Sequence, residues 1–200
     1  MKKRLAIQFD NKNRQSDEID NVISTLKNYF IPDEHANKIS ERLYKSLKNG
    51  CLDLSKCQIS DEILSQILPL LSVLEIKELN LSYNNIGPVE AKALAEALTK
   101  NTSLTHLYLN NNQIGPAEAK VLAEALKINT SLTHLNLYSN NLGDEGTTAL
   151  AEALEINTSI KKLDLGSNRI GTEGALALAE ALEINASIEE LNLWDNKIET

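Results

Sequence analysis

Leucines recur along the chain at a fixed interval. Leu79, Leu107, Leu135, Leu163 and Leu191 stand 28 residues apart, and so do Leu81, Leu109, Leu137, Leu165 and Leu193. Polar residues alternate with them, as in His106-Leu107-Tyr108-Leu109, which predicts a short half-buried strand. The period then changes within each unit. Ala119, Leu122, Ala123 and Leu126 fall at helical spacing and define one apolar face. Gly115 marks the turn between strand and helix. Pro116 suits the first helical turn, where no N–H partner is needed. Asn129 stands where a left-handed residue often ends a helix. A degenerate earlier unit opens with Leu52-x-Leu54-x-x-Cys57-x-Ile59 and is one residue shorter, since Leu52 and Leu79 are 27 apart.

One strand and one helix cannot bury both apolar faces alone. Stacked units can, with the strands in one parallel sheet and the helices outside it. Strands pack about 4.8 Å apart and helices about 8–10 Å apart, so the stack is expected to bend with its strands on the concave side. Small residues recur on the helices (Ala91, Ala119, Thr147, Ala175 and Ala95, Ala123, Ala151, Ala179) and let each helix lie close to its sheet. Asn84, Asn112, Asn140, Asn168 and Asn196 share one register, with Cys57 at that place in the first unit. An amide side chain both donates and accepts, so this column reads as a structural ladder that satisfies backbone groups turned away from water.

The pattern L-x-x-L-x-L-x-x-[NC]-x-[LI], covering residues 50–200, resembles the leucine-rich repeat. The repeat length and the helix Ala93-Leu94-Ala95-Glu96-Ala97-Leu98 are similar to the ribonuclease-inhibitor-like subfamily. The resemblance implies an α/β solenoid in a horseshoe arc, with an inner parallel sheet and outer helices. Near-identical repeats also resemble effectors of intracellular bacterial pathogens, which implies delivery to a host cytosol and action on a host protein. Ran GTPase-activating proteins share this repeat type and use a loop arginine. Arg169 is the single arginine of the repeat region. Its neighbours Gly166-Ser167-Asn168-Arg169-Ile170-Gly171 are ordinary repeat residues, so a solvated turn residue is the preferred reading over an arginine finger.

Residues 1–16 are polar and basic and are expected to be partly disordered. Residues 17–49 read as a helical cap. Ile19, Val22, Ile23, Leu26 and Phe30 form an amphipathic stripe that Pro32 and Asp33 interrupt. Ala36, Ile39, Ser40 and Leu43 then match the helical column of the repeats, which marks an outer helix whose strand is missing. The preceding helix would cover the open end. At the other end Leu191-Asn192-Leu193 completes a strand and no helix follows before Thr200. The chain is therefore expected either to be truncated there or to self-associate weakly through that edge.

The net charge is −8, from 20 Lys+Arg against 28 Asp+Glu, and this argues against nucleic acid as partner. Ile67 to Leu71, the longest apolar run, is too short for a membrane span. Leu5 to Phe9 is too short for the core of a secretory signal. Two cysteines make no disulfide framework. A cytoplasmic, reducing location is expected. No catalytic constellation, cofactor motif or metal site is read from the sequence. His106 and His134 occupy neighbouring strands, but zinc needs three or four ligands and the flanking positions are Glu78 and Lys162. They read as surface histidines that make binding mildly pH-sensitive. Cys51 faces the inner side and Cys57 the core, so they do not bridge, and Cys51 has no base beside it. Asn101, Asn129, Asn157 and Asn185 open glycosylation-type triplets, yet their repeat position explains them as helix caps and turns.

The repeat region holds four aromatics, Tyr83, Tyr108, Tyr138 and Trp194, all at inner positions. Tyr and Trp dominate binding hot spots. The expected partner-binding face is therefore Tyr83, His106, Tyr108, His134, Tyr138, Lys161, Lys162, Asp164 and Trp194, centred on Tyr108 and Tyr138. The inner columns carry four lysines against six acids, a nearly neutral groove suited to a protein partner. The function read from the sequence is a non-enzymatic protein-interaction module. The alternatives are a GTPase-activating-type regulator using Arg169 and a scaffold without a dedicated target.

Overall fold

The computed structural model describes residues 14–21, 24 and 33–199. Residues 14–21 are helical and bury Ile19 completely. Residues 1–13 lie outside the described residues, and so do Val22, Ile23, Leu26, Phe30 and Pro32 of the predicted first stripe. The second helix of the expected cap is α1 (Asp33–Asn49), which starts at Asp33 and buries Ala36, Ile39 and Leu43 completely.

Six short strands follow: β1 (Cys51–Asp53), β2 (Glu78–Asn80), β3 (His106–Tyr108), β4 (His134–Asn136), β5 (Lys162–Asp164) and β6 (Glu190–Asn192). They form one parallel sheet in chain order, and the repeat register is the pairing register: Leu79, Leu107, Leu135, Leu163 and Leu191 lie side by side. Consecutive parallel strands need a crossover. In the later units it is a single helix: α4 (Pro88–Lys100), α5 (Pro116–Ile128), α6 (Gly143–Leu154) and α7 (Thr172–Ile184). In the degenerate unit the helix is split into α2 (Asp61–Ile67) and α3 (Leu70–Val73). Pro69 has no N–H to continue the ladder there.

The residue before each ladder position has a left-handed backbone, from Lys56 (φ 55°) through Tyr83, Asn111, Ser139 and Ser167 to Asp195 (φ 57°). This sharp turn swings the next side chain beneath its own strand. Asn84 Oδ1 accepts the N–H groups of Cys57 and Ile59 at 3.0 and 3.1 Å, and its Nδ2 donates to the carbonyls of Leu54 and Leu81. Asn112 and Asn196 repeat all four contacts one unit on. Asn140 keeps one N–H acceptance, from Ile114, and donates to Leu109 and Leu137. Each amide thus ties its own unit to the preceding one.

A second asparagine ladder runs behind the helices. Asn101, Asn129 and Asn185 do not end their helices in the left-handed region as expected; Asn129 has φ −70° and ψ 128°. The reason is the side chain. Asn129 Nδ2 donates to the carbonyls of Leu98 and Asn101 in the preceding unit, and Oδ1 accepts the N–H groups of Ser131 and Leu132. Asn157 and Asn185 make the same set. An extended backbone aims the amide at the neighbouring unit, so the helix-end carbonyls are satisfied across units. Asn101, Asn129 and Asn157 are 4–5% exposed, which removes them as sugar acceptors.

Helix starts are also handled across units. Glu90 and Glu118 accept the N–H of Gly87 and Gly115 at their own helix starts. In α7 the matching position is Gly174, and Asp144 of α6 supplies the acceptor, taking the N–H groups of Gly171 and Gly174 at 2.7 and 2.8 Å.

Candidate partner-binding face

Strands β2 to β5 each bury their central leucine and turn both flanking residues to the inner face, while Leu191 of β6 is only half-buried. The centre of that face is a ring stack. The His106 and His134 rings lie 4.0 Å apart at 16°, and His106 also stacks on Tyr108 at 6.4 Å. The hydroxyl of Thr133 donates to the Thr105 carbonyl at 3.0 Å and lies 2.8 Å from His134 Nδ1. Thr105 does the same with the Lys77 carbonyl and His106 Nδ1. A hydroxyl has one proton, and here the strand carbonyl takes it. With that proton on the carbonyl, each threonine oxygen is free to accept from Nδ1–H of its histidine; the opposite tautomer needs the hydroxyl to turn its proton to the ring.

Burial, then the His106 ring and the Lys162 ammonium, hold the proton affinity of His134 below the ordinary imidazole value; Glu190 and Glu189 oppose this more weakly. The unfolded chain therefore binds this proton first. The stabilising contribution is complete above the ordinary pKa of about 6.5 and is lost as pH falls from there toward the depressed folded value. Thermal melts should show stability declining as pH falls below about 6.5 in the wild type, with a flatter slope in His134→Gln. Equal slopes would show that the stack carries no such coupling.

Beside the stack lies a recess of about 320 Å³ lined by Tyr108, His134, Leu135, Asn136, Lys162, Leu163, Asp164, Glu190 and Asn192. Asp164 is held in place: its Oδ1 accepts the Gly166 N–H and the Asn192 amide, each at 3.0 Å. Lys161 and Lys162 turn to the last strand and pair with Glu189 at 3.0 Å and Glu190 at 2.7 Å. Tyr108 is half-buried, and burial followed by the Glu78 carboxylate pushes its phenol pKa up.

The nine expected partner-binding residues thus separate into groups. His106, His134, Tyr108, Lys162 and Asp164 share the stack and the recess. Among the described residues no ring contact joins Tyr108 to Tyr138. Tyr138 leans instead over Gly166, where a Cβ would come within 2.9 Å of its ring. Lys161 is drawn off to Glu189. Tyr83 is 52% exposed beneath the Lys56 ammonium, and Trp194 is 68% exposed on the last strand's turn. Asn136, Glu190 and Asn192 line the recess but were absent from the expected set. Their signal was the inner-face alternation, which marks them as strongly as the aromatics.

Other candidate chemistry disperses. Cys51 and Cys57 are free thiols, and burial pushes both pKa values up, away from the reactive thiolate. Arg169 is exposed with φ 59°. Among the described residues no three His, Cys, Asp or Glu side chains are grouped as metal ligands, and no helix is long and apolar enough to cross a membrane. On the outer side a groove of about 600 Å³ runs between helices, lined by Lys120, Glu124, Asp144, Glu145, Thr148, Ala149, Glu152 and Glu173. Lys120 of α5 pairs with Glu145 of α6.

The repeat fold is shared with known proteins. A family model described as the TMOD/LMOD leucine-rich domain matches residues 104–199, and a leucine-rich-repeat model matches residues 51–68 and 76–95. Among solved structures, one of leiomodin-1 actin-binding site 2 is similar at 24% identity and TM-score 0.52, covering 74% of this chain and 75% of that one. The tropomodulin C-terminal domain of Caenorhabditis elegans is similar at 23% identity and TM-score 0.57, covering 68% and 83%. No curated protein matches the chain. The fold is a leucine-rich-repeat solenoid.

Proposed function

We propose that this chain is a non-enzymatic module that binds a protein partner on the inner face of its sheet. The observation that carries this reading is the pre-arranged centre of that face: stacked His106 and His134, Tyr108, and the recess beside them, all positioned by strand pairing and hydrogen bonds. Preorganised aromatic and polar groups reduce the ordering cost of association. Residues 1–16 would form a separate polar segment, 17–49 the cap and 50–200 the binding solenoid. The resemblance of the near-identical repeats to effectors of intracellular bacterial pathogens keeps a bacterial effector, working on a host protein in host cytosol, as the biological setting of this proposal. Capture of a partner by the wild type and loss of capture by inner-face variants tests it.

A second reading is actin. It rests on the TMOD/LMOD match over residues 104–199 and on the printed name of the leiomodin-1 site. Co-sedimentation with filamentous actin and a monomer-binding titration test it directly. The GTPase-activating reading needs Arg169 to approach a nucleotide, and a stimulation assay with Arg169→Ala decides it.

The last strand supports self-association as a further part of the proposal. Ala179 of α7 is exposed, whereas Ala123 and Ala151 at the same place in α5 and α6 are 1% and 2% exposed. Among the described residues no strand pairs with the outer edge of β6. Light scattering should show weak, concentration-dependent dimerisation that disappears when a polar capping repeat is appended. A strict monomer at high concentration would remove this element.

A further inference from the structure

We infer that the inner-face recess takes the guanidinium group of an arginine presented by the protein partner, an assignment that rests on the inner-face reading above. The argument starts from the charges. Two carboxylates and one ammonium line the recess. The ammonium, Lys162, is drawn to Glu190 at 2.7 Å, and the neighbouring Lys161 is drawn to Glu189. Asp164 is left without a cation: among the described residues no basic side chain lies within ion-pair reach of it. Its Oδ1 is fixed by the Gly166 N–H and the Asn192 amide, so the carboxylate is oriented before any ligand arrives.

Part of the lining is aromatic. Tyr108 and His134 line the same recess, and His134 is backed by the His106 ring at 4.0 Å. A flat cation suits a recess that offers both rings and a carboxylate. It can stack on the rings while its N–H fork meets Asp164, which a compact ammonium does less well. The Asn136 side chain, which lines the same recess, adds an amide oxygen as a further acceptor. The depressed proton affinity of His134 keeps a competing positive charge out of the recess near neutrality.

The probe is N-acetyl-arginine methylamide, titrated into the full chain and followed through backbone amide shifts, beside its citrulline and lysine counterparts. The arginine compound should shift signals of β3 to β5 with a dissociation constant of about 1–10 mM, the range for one small group. Citrulline, which keeps the shape and lacks the charge, should bind at least about 5-fold more weakly, and lysine should fall between them. Asp164→Asn keeps an oxygen for Gly166 and Asn192, so it should fold normally and lose about 5-fold or more. Glu124→Gln in the outer groove should change nothing. Equal binding of arginine and citrulline, full retention in Asp164→Asn, or no shift in β3 to β5 would overturn the assignment. If the arginine compound fails while Tyr108→Ala still weakens the partner, the recess assignment falls and the inner-face reading stands. If the partner protects the outer helices instead, both fall.

Discussion

Replacing Asn129 with alanine should destabilise the fold by about 2–4 kcal/mol, and replacing Asn140 by about 1–3 kcal/mol. Asn129 is buried and makes four backbone contacts: two carbonyls of the preceding unit and two N–H groups of its own. Alanine leaves all four without that partner, and a buried unpaired polar group costs about 1–3 kcal/mol. Ser131 Oγ already reaches the Asn101 carbonyl at 3.3 Å, so the loss is less than the full sum. Asn140 is half-buried and satisfies one N–H and two principal carbonyls, hence the smaller figure. Asn141 is exposed, and its replacement should stay within about 0.5 kcal/mol. Chemical denaturation of the three variants checks the order. A chain this size loses about 2–4 °C of melting temperature per kcal/mol, so Asn129→Ala should melt at least about 4 °C lower. An unchanged midpoint for Asn129→Ala would show that the rear ladder does not hold the units together.

That rear ladder also marks what could be read from the residues and what could not. The strand leucines, helix faces and inner column of asparagines declare themselves because each sits at a fixed place in a 28-residue period. Asn129 declares itself equally by position, but its local reading as a helix end competes with its role between units. Only the neighbouring unit, with the Leu98 and Asn101 carbonyls waiting there, decides the matter. The same limit applies to the face. Inner positions follow from alternation, so His106, Tyr108, His134 and Asp164 could be named in advance. Which of them touch depends on rotamers and on small residues nearby. Gly166 leaves room for the Tyr138 ring to lean away from Tyr108, and Glu189 and Glu190 draw both lysines toward the last strand. The cap of α7 has the same character, since Asp144 acts on the helix after its own.

Tyr108→Ala should weaken partner binding by about 2 kcal/mol or more, roughly 30-fold, while costing folding little. Tyr108 stacks on His106 and walls the recess, so truncation removes both a contact surface and one side of the pocket. Tyr138→Ala should cost less than Tyr108→Ala, because its ring lies over Gly166 outside the recess. Tyr83 and Trp194 stand farther along the sheet in both directions and should contribute least. Matched melting curves for each variant separate lost binding from lost folding.

The most direct test is one titration of the partner against three proteins under the same salt: wild type, Tyr108→Ala and Glu124→Lys. Glu124 lies in the outer groove and pairs with Lys127 at 2.7 Å, an exposed pair of small energetic weight. An inner-face interface predicts a loss of roughly 30-fold for Tyr108→Ala and an affinity within about 2-fold of wild type for Glu124→Lys. The reverse pattern, with binding lost in Glu124→Lys and kept in Tyr108→Ala, would place the interface on the outer helices and contradict the account.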